Sequence, residues 1–136
     1  MKNVLIASAA LLTLAAPAFA GDAAKGEKTF KKCKSCHVIE TPAGETIVKG
    51  GKTGPNLYGV IGRQAGAAEG FKYGADLVAA GEGGLVWDEA SLAAFVADPK
   101  GYLKEVTGKG SAKSKMSFKL RKGGDDVAAY LASVAE

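Results

Sequence analysis

Two thiols and an imidazole share five consecutive residues, Cys33-Lys34-Ser35-Cys36-His37, and these are both cysteines and the only histidine of the 136-residue chain. Three chemistries could use such a cluster: a redox dithiol, a metal site, or the attachment point of a haem. A disulfide across two intervening residues closes so small a loop that it constrains little of the unfolded chain, so it makes a poor staple. A thioredoxin-like Cys-x-x-Cys expects alternating strands and helices around it, and strand-like alternation is almost absent here. A structural zinc site calls for four ligands, one more than the cluster offers. Cys-x-x-Cys-His is also the spacing by which c-type haem is attached. Two thiols three positions apart can each add across one vinyl group of the porphyrin, and the histidine beside the second then lies under the iron as proximal ligand.

The elements that must position this cluster are helical. Gly21 to Cys36 reads as one helix, with Asp22 as N-cap, Phe30 as its apolar anchor and lysines toward its C-terminal end. From Val38 to Gly70 the glycines and prolines are too dense for a regular element. "WDEASLAAFVADP" is a helix capped by Asp88, with Leu92, Phe95 and Val96 on its apolar face and Pro99 limiting it. A short helix from Lys100 to about Val106 follows, and a last one starts near "GGDD" with Val127, Tyr130, Leu131 and Val134 on one face. The expected fold class is therefore all-α, with long irregular connections. Such connections are unusual in a compact domain, and a large buried cofactor would supply the core they lack.

The first twenty residues place a cation at Lys2, an apolar run from Val4 to Ala16 and small residues around Ala18 and Ala20. That is the pattern of a secretory signal peptide cleaved after Ala20, its apolar run too short to span a bilayer. Residues 21–136 would then be one exported domain. Losing Lys2 lowers the formal net charge from +4 to +3, but distribution says more than the sum. Lys100 to Lys122 holds seven lysines and Arg121 against Glu105 alone, whereas Glu69 to Asp98 holds six acids and only Lys72, which predicts a strong dipole.

Residues 21–136 closely resemble the class I cytochromes c, in particular the bacterial cytochromes c2. The segments "GDAAKGEKTFKKCKSCH", "KTGPNLYGVIGRQAG", "FKY", Trp87, "KSKMSFKL" and "DVAAYL" occur in the family's order. The resemblance implies a small cytochrome c fold wrapped around one haem c bound through Cys33 and Cys36, with His37 and Met116 as the iron ligands. It implies that the Pro55 carbonyl accepts a hydrogen bond from the His37 ring, and that Arg63, Tyr73 and Trp87 bind or screen the haem propionates. Gly26, Phe30, Val127 and Tyr130 match the crossing of the first and last helices. Two departures stand out. Phe95 falls where many relatives carry a tyrosine near the methionine sulfur, and "EVTGKGSAK" resembles the insertion of the larger cytochromes c2, which places the methionine loop in a longer setting.

The function implied is that of a soluble, monomeric periplasmic one-electron carrier, not an enzyme. It would shuttle between a cytochrome bc1 complex and a photosynthetic reaction centre or terminal oxidase. Lys31, Lys32, Lys34, Lys100, Lys104, Lys113, Lys115, Lys119 and Lys122 would steer it toward acidic partner surfaces; an exported haem protein rarely meets nucleic acid. Two other classes stay open on the residues alone: a haem enzyme or gas sensor in which Met116 dissociates, and a haem-free dithiol oxidoreductase.

Overall fold

The computed structural model describes residues 21–136; the expected signal segment, residues 1–20, lies outside the described residues. Helix α1 (Ala23–Thr29) starts where the Asp22 carboxylate accepts hydrogen bonds from the backbone N–H groups of Ala24 (3.0 Å) and Lys25 (3.1 Å). It does not run on to Cys36 as one helix. The chain tightens into a 3-10 turn at Phe30–Lys32 and then into turns closed by Cys36 N and His37 N, both donating to the Cys33 carbonyl at 3.1 Å. Tightening of this kind is a common way to end a helix. Here it brings Cys33, Cys36 and His37 together at the end of α1.

A feature absent from the sequence expectation follows. Two short antiparallel strands, β1 (Ile39–Glu40) and β2 (Thr46–Val48), pair Ile39 with Val48 and Glu40 with Thr46 across an irregular register. Helix α2 (Ala75–Glu82) was also not foreseen, because glycines at 74, 81, 83 and 84 dilute its apolar pattern. Helices α3 (Glu89–Ala97), α4 (Pro99–Thr107) and α5 (Gly124–Ser133) fall where expected. A capping box begins α3: Asp88 accepts from Ser91 N at 2.7 Å while the Ser91 hydroxyl oxygen accepts from Asp88 N at 3.0 Å. Pro99 is the first residue of α4, and Asp98 caps it through Gly101 N. Among the described residues, no helix is long and apolar enough to cross a membrane.

Packing centres on α5. It crosses α1 and lies along α3, while α4 rests on α3 and α2. At the α1–α5 crossing Phe30 and Tyr130 meet with ring centroids 5.8 Å apart, and Gly26, Val127 and Leu131 are buried beside them. Gly26 permits the approach: a Cβ there would land on the Asp126 carbonyl oxygen and 2.8 Å from the Tyr130 Cβ. The backbone N–H of Asp22 donates to the Asp126 carboxylate at 2.8 Å, joining the starts of the two helices. Gly26→Ala should therefore lower stability by about 1–3 kcal/mol through overpacking, despite alanine's better helix propensity. Chemical denaturation of the holoprotein measures this; a gain in stability would show that the crossing is looser than its contacts indicate.

Candidate functional site

The site grows from the turn after α1. The Lys34 carbonyl accepts from Gly51 N and the Cys36 carbonyl from Gly54 N, each at 2.8 Å, so the glycine-rich loop 50–55 lies directly against Cys33–His37. That contact delivers Pro55 to the imidazole, with His37 Nδ1 2.8 Å from the Pro55 carbonyl oxygen. A carbonyl can only accept, so Nδ1 carries the proton and the Nε2 lone pair is left free to bind a metal. Burial holds the imidazole pKa below its ordinary value, against the opposing effect of the Pro55 hydrogen bond. A neutral ring with one oriented nitrogen is the form in which histidine ligates iron.

The two thiols differ. Burial, with a smaller contribution from Cys36, pushes Cys33 up to about 11. Cys36 is exposed, and hydrogen bonds from the Thr53 and Ser35 side chains pull its pKa down. No disulfide joins them.

A second group assembles around Arg63. Trp87 N donates to the Arg63 carbonyl at 2.9 Å and Gly62 N to the Trp87 carbonyl at 2.7 Å, so two segments far apart in sequence run side by side. The guanidinium donates to the Asn56 carbonyl at 3.2 Å and the Tyr58 carbonyl at 3.4 Å. Burial lowers the Arg63 pKa, and the nearby Tyr73 phenol opposes that shift. Tyr73 packs edge-on to Phe71 with centroids 4.9 Å apart. Trp87 packs on Phe95 at 5.1 Å, and Phe95 on Tyr102 at 6.0 Å.

All eight residues singled out in the sequence (Cys33, Cys36, His37, Pro55, Arg63, Tyr73, Trp87 and Met116) line one cavity of about 360 Å³. Most of its remaining wall is apolar, including Leu57, Val60, Leu92, Phe95 and Leu131. Cavities of roughly 300–1,000 Å³ with apolar walls and a few placed polar groups suit a large organic cofactor. The donor set fits haem c: two thiols, an oriented neutral imidazole, a thioether, and cationic and hydroxyl donors for carboxylates. Tyr102, by contrast, is not in the wall. It meets Phe95 edge-on from behind, with ring centroids 6.0 Å apart.

Three contributors were not singled out in the sequence. Thr53 lines the cavity with Cys36 and helps to lower the pKa of its thiol. The Asn56 side chain accepts from Glu40 N and Tyr58 N and donates to the Glu40 carbonyl at 2.7 Å, fastening the loop after Pro55 to the hairpin. Gly54 lies against the imidazole face, where a Cβ would come 2.7 Å from His37 Nδ1. The Gly-Pro-Asn run was the available signal, but the resemblance gave a role to Pro55 alone.

The nine lysines of the expected docking face are all exposed, and Lys32, Lys113 and Lys115 line the cavity. Lys100 and Lys104 lie on α4 outside its lining. The simple acid–base dipole expected from the sequence is modified, because two acids of the 69–98 segment touch the basic one. Asp76 pairs with Lys109 at 2.9 Å and Asp98 with Lys119 at 3.0 Å.

A small helical wrap around one cavity with this donor set is the architecture of a c-type haem protein, and comparison with known proteins agrees. No protein-family model matches the chain. Cytochrome c2 of Rhodobacter capsulatus is 60% identical over 134 residues, 98% of each chain. Cytochrome c-551 of Roseobacter denitrificans is 59% identical over 136 residues, 99% of this chain and 97% of its own. The solved structure of cytochrome c2 from Rhodobacter capsulatus superposes with a TM-score of 0.84 at 59% identity, over 85% of this chain and 100% of that one. Ferric cytochrome c-550 from Paracoccus versutus gives 0.83 at 55%, over 86% and 100%. The chain belongs to the class I cytochromes c, within the group of bacterial cytochromes c2, c-550 and c-551. It is an electron-transfer protein carrying one covalently bound haem c, with Cys33 and Cys36 in the attachment positions.

Gly54→Ala should push the His37 ring off its bond to Pro55 and lower stability by about 1–3 kcal/mol. The Nδ1–H resonance in the proton NMR spectrum of the ferrous holoprotein reports the bond directly, and an unmoved resonance would contradict the packing described.

Proposed function

We propose that this protein is a periplasmic one-electron carrier whose haem iron is held by His37 and Met116. The observation that carries the reading is the convergence of both side chains and both cysteines on a single cavity, with the His37 ring already tied to Pro55. Bound haem supplies a one-electron ferrous–ferric couple, and Met/His ligation raises its potential because a neutral thioether favours the ferrous state.

The remaining work falls to the chain. Pro55 fixes the plane and tautomer of His37, which sets the basicity of its free nitrogen. Arg63, Tyr73 and Trp87 offer a guanidinium, a phenol and an indole N–H to carboxylates that would otherwise be costly to bury. Leu57, Val60, Leu92 and Phe95 keep water from the cavity. Were His37 and Met116 both to hold the iron, no coordination position would remain for a substrate, as suits a carrier rather than a haem enzyme.

The partners fit the same reading: a cytochrome bc1 complex as donor and a photosynthetic reaction centre or terminal oxidase as acceptor. Lys32, Lys113 and Lys115 at the cavity, with Lys31 and Lys34 beside the attachment turn, would guide a monomer onto acidic surfaces. The first twenty residues fit export by signal peptide.

Two measurements test this. The ferric holoprotein should show the long-wavelength sulfur-to-iron charge-transfer band, and Met116→Ala should abolish it and admit carbon monoxide to the ferrous iron; a wild-type protein without the band that binds carbon monoxide rapidly would sink the Met116 assignment. Oxidation by purified reaction centre or oxidase should slow steeply as salt rises, because screening over about 8–10 Å removes electrostatic steering. A rate indifferent to ionic strength would remove the lysines from the docking role.

A further inference from the structure

The long segment between α4 and Met116 is folded back onto α2 by a single side chain. Asp76, the second residue of α2, is only 13% exposed although Lys109 beside it is 59% exposed. Its Oδ1 accepts from Lys109 Nζ at 2.9 Å and its Oδ2 from the backbone N–H of Lys113 at 2.8 Å. Gly108, just before the first of these points, is left-handed at φ 66°; between the two the chain turns tightly, with Ala112 N donating to the Lys109 carbonyl at 3.0 Å and Ala112 itself fully buried. One carboxylate therefore spans the turn and fastens it to the helix. An acid in the first turn of α2 is favoured there in any case by the helix dipole.

Met116 lies three residues beyond this fastening. Its carbonyl accepts from the Ser114 hydroxyl at 2.9 Å, and Lys115 Nζ donates to the Lys72 carbonyl at 2.7 Å. On the other side the chain is anchored by Leu120 N on the Val96 carbonyl at 2.8 Å and by the Lys119–Asp98 pair. The methionine thus sits on a short span held at both ends, and Asp76 is the side chain that gathers the upstream end.

We infer that Asp76 is a positioning residue for Met116: by bridging Lys109 and Lys113 it keeps the methionine segment closed over the cavity and so limits how often the sixth iron position opens. The inference rests on Met116 being the ligand. An external ligand reaches the iron only from the open state, so its apparent affinity is proportional to the open fraction.

The experiment is imidazole titration of the ferric holoprotein, followed in the Soret region and in the charge-transfer band. Asp76→Ala should bind imidazole about tenfold more tightly than the wild type, the size expected from losing a charged hydrogen-bonding group. Asp76→Asn keeps an acceptor for Lys113 N and should fall between the two. Asp22→Ala, which removes the α1 cap instead, should lower the denaturation midpoint and leave imidazole affinity unchanged. Unchanged imidazole binding in Asp76→Ala, or an equal gain in Asp22→Ala, overturns the positioning role. A wild-type protein lacking the charge-transfer band would instead refute Met116 ligation itself, so the two failures are distinguishable.

Discussion

The hydrogen bond between His37 Nδ1 and the Pro55 carbonyl is the constraint on which the rest of the structure depends. It demands that loop 50–55 lie flat against the turn that ends α1, and the backbone bonds of Gly51 and Gly54 to Lys34 and Cys36 meet that demand. It also requires the loop beyond Pro55 to stay put. Asn56 fastens that loop to the hairpin, and the Arg63 guanidinium takes its next carbonyls. Since Arg63 is itself held beside Trp87 by backbone pairing, His37 and the Arg63–Trp87 pair belong to one hydrogen-bonded unit. Moving either would disturb the other.

A different kind of support comes from the helices. They contribute few of the polar groups of the site; α3 supplies Leu92, Phe95 and Val96, and α5 supplies Leu131. Their role is to form an apolar wall, and the Gly26–Tyr130 crossing locks α5 against α1 so that this wall is fixed relative to the cysteines. The covalent attachment turn and the apolar wall are thus set by the same crossing.

Much of this was legible from residue types and spacing. Cys33, Cys36 and His37 announce their chemistry because few arrangements put two thiols and an imidazole in five residues, and Asp22, Asp88 and Pro99 mark helix boundaries by local rules that tertiary contacts do not override. Met116, Pro55, Arg63, Tyr73 and Trp87 were named only through family resemblance, since each alone has an ordinary structural use. What stayed hidden was non-local. Helix α2 holds one glycine and is flanked by others, which hides its pattern, yet Gly81 is needed because a Cβ there would strike the Ala65 carbonyl. The β1–β2 pair has too few residues to show alternation. Asp76 read as one acid among six, and its two contacts with residues 109 and 113 are visible only in three dimensions.

The Asp76–Lys109 and Asp98–Lys119 pairs also change what an approaching partner would feel. Seen from a Debye length of about 8–10 Å, a lysine 3 Å from a carboxylate contributes little net field. Such pairs act as short dipoles, whereas Lys31, Lys32, Lys34 and Lys113 keep their full charge outside any ion pair among the described residues. Lys100, Lys104, Lys115, Arg121 and Lys122 are likewise outside those pairs, so long-range attraction would come from the attachment turn, the cavity mouth and the rest of residues 100–122, and would be weakened only around Lys109 and Lys119. The paired lysines would matter only at contact, once a partner's own acids could compete for them.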